Sequence, residues 1–165
     1  MTFAPRTWVV GEVVTAALLN QEVRDQFNTI FGAWTSYTPA WTAATTNPVL
    51  NNGTLVGRYM KIGRTTIAGF TLTAGSTTTY GSGTYSFSLP AAAAAAGVDT
   101  IGGARATAGS TYIGQLTLGS GQSVVNATFP TSATPATGSN MTPTTPATLA
   151  AGHILRGSIT YEAAA

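Results

Sequence analysis

Cysteine is absent from this 165-residue chain, and only 12 of its side chains carry formal charge. Without thiols there is no disulfide framework, thiol nucleophile or thiolate metal site, so stability has to come from packing or from association. Seven cations against five acids leave a net charge of +2 at pH 7, too little to imply nucleic acid as a partner. The single histidine, His153, has no acid beside it in sequence, and no grouping of His with acids has metal-ligand spacing, so neither a metal nor a cofactor is expected. Three of the five acids, Glu12, Glu22 and Asp25, fall in or near an N-terminal helical segment; Asp99 and Glu162 remain as the one carboxylate pair elsewhere, and their spacing gives no support for glycoside hydrolysis. Serine and threonine abound, but with no identifiable base they read as surface hydroxyls rather than nucleophiles. The chain is therefore expected not to be an enzyme. No apolar run approaches the roughly 20 residues of a membrane span, and no basic, apolar signal segment opens the chain, so the expectation is a soluble protein made in the cytoplasm, with no membrane insertion.

What is present points to β structure. Threonine (31 residues) and alanine (27) dominate, and 19 glycines and 8 prolines punctuate the chain. Charge is uneven: eight of the twelve charged residues lie in positions 1 to 64, while positions 65 to 152 hold only Asp99 and Arg105. In the first part, Thr15 before Ala16, Ala17, Leu18 and Leu19 is an N-cap candidate, with Val14 and Leu19 spaced as a hydrophobic staple across it. From there Leu19, Val23, Phe27, Ile30 and Trp34 recur at steps of four, four, three and four, a helical stripe with Asn20, Gln21, Arg24, Asp25 and Asn28 on the other faces. Gly32 ends or frays this helix.

A helix of about 16 residues is marginal alone in water, so its stripe must be covered, either by the domain that follows or by copies from other chains. The large aliphatic and aromatic side chains, the N-terminal position and the charge-poor chain that follows favour the second arrangement. The expected organisation is an N-terminal anchor over residues 1–33 and a β domain over residues 34–165.

Beyond Trp34 the period changes from 3.6 to 2. Tyr37, Pro39 and Trp41 alternate as in an edge strand, and Asn51, Asn52 and Gly53 make a turn. Leu55 to Ile62 and Ile67 to Leu72 read as a hairpin through Gly63 and Arg64. Tyr85, Phe87 and Leu89 alternate with serines before Pro90. Further strands are expected at Thr111 to Leu118, Val124 to Phe129 and Ile154 to Tyr161, with Leu155, Ile159 and Tyr161 on one face of the last and Arg156, Ser158 and Thr160 on the other. The spacing of the Gly, Ser and Thr clusters suits an antiparallel β-sandwich or barrel. The run Ala91 to Ala96, hemmed by Pro90 and Gly97, is a loop or short helix, and residues 130 to 148, with four prolines, read as an extended surface loop. Arg58, Lys61 and Arg64 are the only compact basic group, and read as strand-face and turn charges. Three Asn-x-Thr sequons, at Asn52, Asn126 and Asn140, matter only in a glycosylating cell. Tyr80, Tyr85 and Tyr112 are candidates for a sugar-stacking platform if exposed, with Tyr80 and Tyr112 the ones to test; core or interface packing is the commoner use of such rings.

The segment Pro5-Arg6-Thr7-Trp8-Val9-Val10-Gly11-Glu12-Val13-Val14-Thr15-Ala16-Ala17-Leu18-Leu19-Asn20, followed by Val23-Arg24-Asp25, resembles one found at the start of virion proteins of tailed bacteriophages, mostly those of actinobacteria. Trp34-Thr35-Ser36-Tyr37-Thr38-Pro39-Ala40-Trp41-Thr42, with Asn52 to Tyr59 and Ile62-Gly63-Arg64, is similar to the β domain that accompanies it in minor tail or fibre proteins, and Gly157 to Ala163 matches the same pattern. The resemblance covers residues 5 to 89 and 154 to 163. It implies a structural virion component, commonly a homotrimer with a short helical anchor and an antiparallel sandwich of jelly-roll type facing outward. On this view Leu19, Val23, Phe27, Ile30 and Trp34 form a threefold seam, residues 1–33 meet other virion proteins, and the β domain is available to a host-surface glycan. The alternatives are a capsid decoration or head-fibre protein and a free carbohydrate-binding module.

Overall fold

A computed structural model describes residues 6–133 and 136–164, with the side chains of residues 29, 132, 133 and 136 left aside. Pro5, which opens the phage-like segment, and Pro135, within the expected 130–148 loop, lie outside the described residues.

The chain begins with a helical segment in three parts: α1 (Ala16–Leu19), a π-helical turn (Asn20–Arg24) and α2 (Asp25–Phe31). Thr15 caps it as the sequence predicts, its extended backbone aiming the hydroxyl at the Leu18 N–H, 3.3 Å away. In an ideal α-helix, side chains four residues apart drift around the axis by about 40° per step. The wider π turn offsets that drift, holding Leu19, Val23 and Phe27 closer to one line. The helix stops at Phe31 because Gly32 turns extended (ψ 155); a Cβ there would come within 2.7 Å of the Asn28 carbonyl oxygen.

The remainder is mainly β and antiparallel throughout: β1 (Thr35–Tyr37), β2 (Trp41–Ala43), β3 (Thr54–Ile62), β4 (Thr65–Thr73), β5 (Tyr85–Ser88), β6 (Thr100–Ala108), β7 (Ser110–Leu118), β8 (Val124–Ala133), β9 (Ala136–Asn140) and β10 (Ile154–Glu162). They join in the order β1-β3-β4-β10-β6-β7-β8-β5-β2, with β9 on β8. The two ends of this path, β1 and β2, are consecutive in sequence and separated only by residues 38–40, so the sheet has to curl until its edges approach each other. Ring contacts record the same curvature. Phe70 of β4 and Phe87 of β5 are five strands apart along the sheet, yet their rings stack with centroids at 4.9 Å, and Trp41 packs on Tyr85 and Phe87 at 5.1 and 6.3 Å.

Alternation creates the core. Ala68, Phe70 and Leu72, then Leu116 and Leu118, Val125, Ala127 and Phe129, and Leu155, Ile159 and Tyr161 all turn inward and are buried, while their neighbours of opposite parity face out. The alanines and glycines are what admit the aromatic rings. Ala104 and Ala106 lie flat against the core, and a Cβ on Gly157 would sit 2.7 Å from the Phe70 ring. Gly63 takes φ +58 in the two-residue turn of the β3–β4 hairpin, the left-handed backbone that tight hairpin turns demand.

Three expectations are revised. Strand β6 carries no strong apolar alternation to mark it in the sequence; it is defined by pairing along β7 over its whole length and along β10 from Gly103 to Thr107. The expected edge strand over Tyr37–Trp41 is two short strands at opposite edges of the sheet, with Pro39 in the link. Residues 130–133 and 136–140 are strand rather than loop: β8 runs on through Pro130 to Ala133 and β9 pairs antiparallel with it, with a register shift between Pro130 and Ser132, the irregularity that lets proline sit in a ladder. Ala91–Ala96 takes the loop alternative. Helix would leave Ala93 and Ala94 unable to donate, as they do, to the Gln122 and Glu162 carbonyls at 2.8 Å.

Candidate functional site

The N-terminal helix leaves its apolar stripe about half exposed. Leu19 is 48% exposed, Val23 45%, Phe27 56% and Ile30 45%, and none belongs to the core cluster or is packed against it. Phe27 stacks on Phe31 one turn on, centroids 6.3 Å apart, a contact along the helix surface. Trp8, Val9, Val10, Val13 and Val14 ahead of the helix are exposed as well. A polar knot sits in this segment: Arg6 pairs with Glu12 and lies 5.4 Å over the Trp8 ring. Trp34 departs from the other four seam candidates, because the helix ends before it; it borders a shallow basin with Val56 and Arg58 of β3, and its carbonyl accepts a hydrogen bond from Arg58 at 3.2 Å.

Tyr80 and Tyr112, the candidate sugar-stacking residues, are half-buried against the core. Tyr80 lines a small hollow of about 10 Å³ with Trp41, Met141 and His153, room for one water at most, and its carbonyl accepts from the Tyr85 hydroxyl at 2.6 Å. Tyr112 sits opposite Ala106 on the neighbouring strand. Both rings are held by packing against the core.

His153, Asp99 and Glu162 each make a contact within the β part of the chain. His153 Nδ1 accepts from the Ala150 N–H at 3.1 Å in the turn before β10, which places the ring proton of the neutral form on Nε2. Asp99 accepts from the Ser120 N–H at 3.0 Å, and Glu162 pairs with Arg64 at 3.1 Å. Among the described residues no three His or acid side chains gather as a metal site. Burial pushes the Tyr37 phenol up to about 12, with a smaller contribution from Tyr161; its hydroxyl is buried without a hydrogen-bond partner. Burial likewise raises Tyr85 and Tyr161.

The basic group of Arg58, Lys61 and Arg64 is dispersed. Arg58 is on the outer face of β3, Lys61 is on the opposite face, and Arg64 is in the turn beside Glu162. A different pair of cations meets in the sheet: Arg156 on β10 is the direct cross-strand neighbour of Arg105 on β6. The outward parity of Arg156 was legible in the sequence, but without β6 no register could join it to Arg105.

The chain matches no protein-family model, no curated protein and no solved structure.

Proposed function

We propose that the chain is a non-enzymatic structural protein of a tailed-phage virion, a trimeric tail-fibre or minor tail component whose residues 1–33 hold the copies together and attach them to other virion proteins. In this reading the curled sheet is a β-sandwich of jelly-roll type that faces the host surface. The observation that carries it is the half-exposed stripe of Leu19, Val23, Phe27 and Ile30. A short helix gains most of its stability by packing an apolar face, and on the single chain these four side chains keep about half of their surface exposed. A threefold seam supplies the remaining packing. The resemblance of residues 5 to 89 to phage tail proteins supports the particle role. So does the use of His153, Asp99 and Glu162 in turns and strand ends, as suits a durable scaffold.

The test removes residues 1–33. The truncated chain is expected to keep its β domain, to run as a monomer and to be missing from purified particles, while the full chain is incorporated and gold-labelled antibody marks the tail. Incorporation of the truncated chain refutes the anchor, and label over the capsid replaces the tail assignment with a decoration role.

A further inference from the structure

We propose that the outer face of the curled sheet binds an acidic polysaccharide through Arg58, Arg105 and Arg156, with the Trp34 ring as a stacking wall. Arg156 and Arg105 are register partners on β10 and β6, and both are exposed. Like charges directly opposite each other weaken a strand pair, and among the described residues no acid lies within ion-pair distance of either. Arg156 makes no hydrogen bond within the described chain, and Arg105 reaches only the Thr111 hydroxyl at 3.5 Å. The one acid facing outward on β10, Glu162, is six residues along the strand from Arg156, about 20 Å away, and is taken by Arg64. Two unneutralised guanidinium groups side by side in so charge-poor a chain are a feature the fold does not use.

The third arginine completes a site. Arg58 lies on β3, two strands from β10, which spaces the two backbones by roughly 10 Å. Between them is an open basin of about 420 Å³ bordered by Trp34, Val56, Arg58, Gly69, Thr71 and Arg156. Its floor is bare because Gly69, on the outer face, has no side chain. A Cβ there would stand 3.5 Å from the Gly157 carbonyl oxygen, an ordinary contact, so packing does not require glycine at this position. Guanidinium forks pair with carboxylates in two parallel hydrogen bonds, and an indole face offers apolar area to a flat ligand. A ring to stack and carboxylates repeated at intervals together describe a polymer of uronic acids. This names a ligand class for the host contact proposed above. All four side chains belong to one copy, so the site is testable whatever the oligomeric mass proves to be.

The test titrates the full-length protein by calorimetry with a galacturonic acid oligomer, with a neutral maltooligosaccharide and with inorganic polyphosphate. Binding is expected for the galacturonate alone, weakening as salt rises. Arg58→Ala and Arg156→Ala are each expected to weaken it about tenfold, the scale of one lost charge-assisted contact. Trp34→Ala and the basin-filling Gly69→Leu are expected to weaken it as well. Arg156→Ala should leave the melting temperature unchanged or raise it, since it relieves the like-charge pair; an arginine holding the fold together would lower it. The proposal is overturned by no galacturonate binding to the unsubstituted protein, by an Arg156→Ala protein that binds as tightly, or by polyphosphate binding equally well with Trp34 removed.

Discussion

Replacing Val23 by aspartate tests whether the helix stripe is a seam. Full burial of an aliphatic or aromatic side chain of this size is worth about 1.5–3 kcal/mol, and Val23 is still nearly half exposed on the isolated chain. Covering the rest would therefore gain on the order of 1 kcal/mol per copy. In a threefold assembly the substitution is made three times, so about 3 kcal/mol of association free energy is lost, more than a hundredfold in the equilibrium constant. Three carboxylates brought together near one axis add a desolvation and repulsion cost on top. Asn28→Asp, on another face of the same helix, introduces the same charge without this loss and serves as the control. Light scattering across a range of micromolar concentrations is the assay. The unsubstituted protein and the control are expected at three times the 16.8 kDa chain mass, and Val23→Asp at the single-chain mass. An unsubstituted protein that scatters as one chain throughout, or a Val23→Asp protein that stays trimeric, refutes the reasoning.

Phe87→Ala removes a fully buried ring that contacts both Phe70 and Trp41, and is expected to cost about 3–5 kcal/mol in urea unfolding. Gly157→Ala, which sets a methyl group 2.7 Å from the Phe70 ring, is expected to cost about 1–3 kcal/mol, whereas Gly69→Ala on the outer face should lie within about 0.5 kcal/mol of the parent. Because the folded Tyr37 phenol titrates at about 12 rather than 10, the unfolded chain loses its proton first. Stability from this group is thus full below about pH 10 and falls as pH rises toward 12, by roughly 2–3 kcal/mol. Tyr37→Phe, which also deletes a buried hydroxyl with no partner, should flatten that alkaline decline and stabilise the protein at neutral pH by about 1 kcal/mol. A decline equally steep in the variant would show that other groups cause it.

Elements with strong periodicity were legible from residues alone. The capped helix follows from Thr15 and the 19-23-27-30 spacing, the β3–β4 hairpin from Gly63 between two apolar runs, and β5 and β10 from alternation so regular that one parity is buried. Strand β6 escaped because Gly102, Gly103, Ala104, Ala106 and Ala108 carry too little apolar area to mark a face, although Ala104, Ala106 and Ala108 turn inward and are buried. Pro130 and the prolines after it suggested a loop, since proline lacks a ladder donor, but the register shift beside Pro130 accommodates it. The proposed glycan site was hidden for the same reason as β6. A cross-strand pair such as Arg156 and Arg105 exists only once register is set, and Trp34 becomes its neighbour only because Gly32 ends the helix early.

The sequence by itself determined that this is a β protein with an apolar helix ahead of it, because local alternation and capping need only neighbouring residues to act. Tertiary structure decided how far the sheet curls, which arginines meet, and that the helix stripe stays outside the core. Those outcomes depend on contacts between residues such as Phe70 and Phe87, or Arg105 and Arg156, whose proximity no short-range pattern encodes.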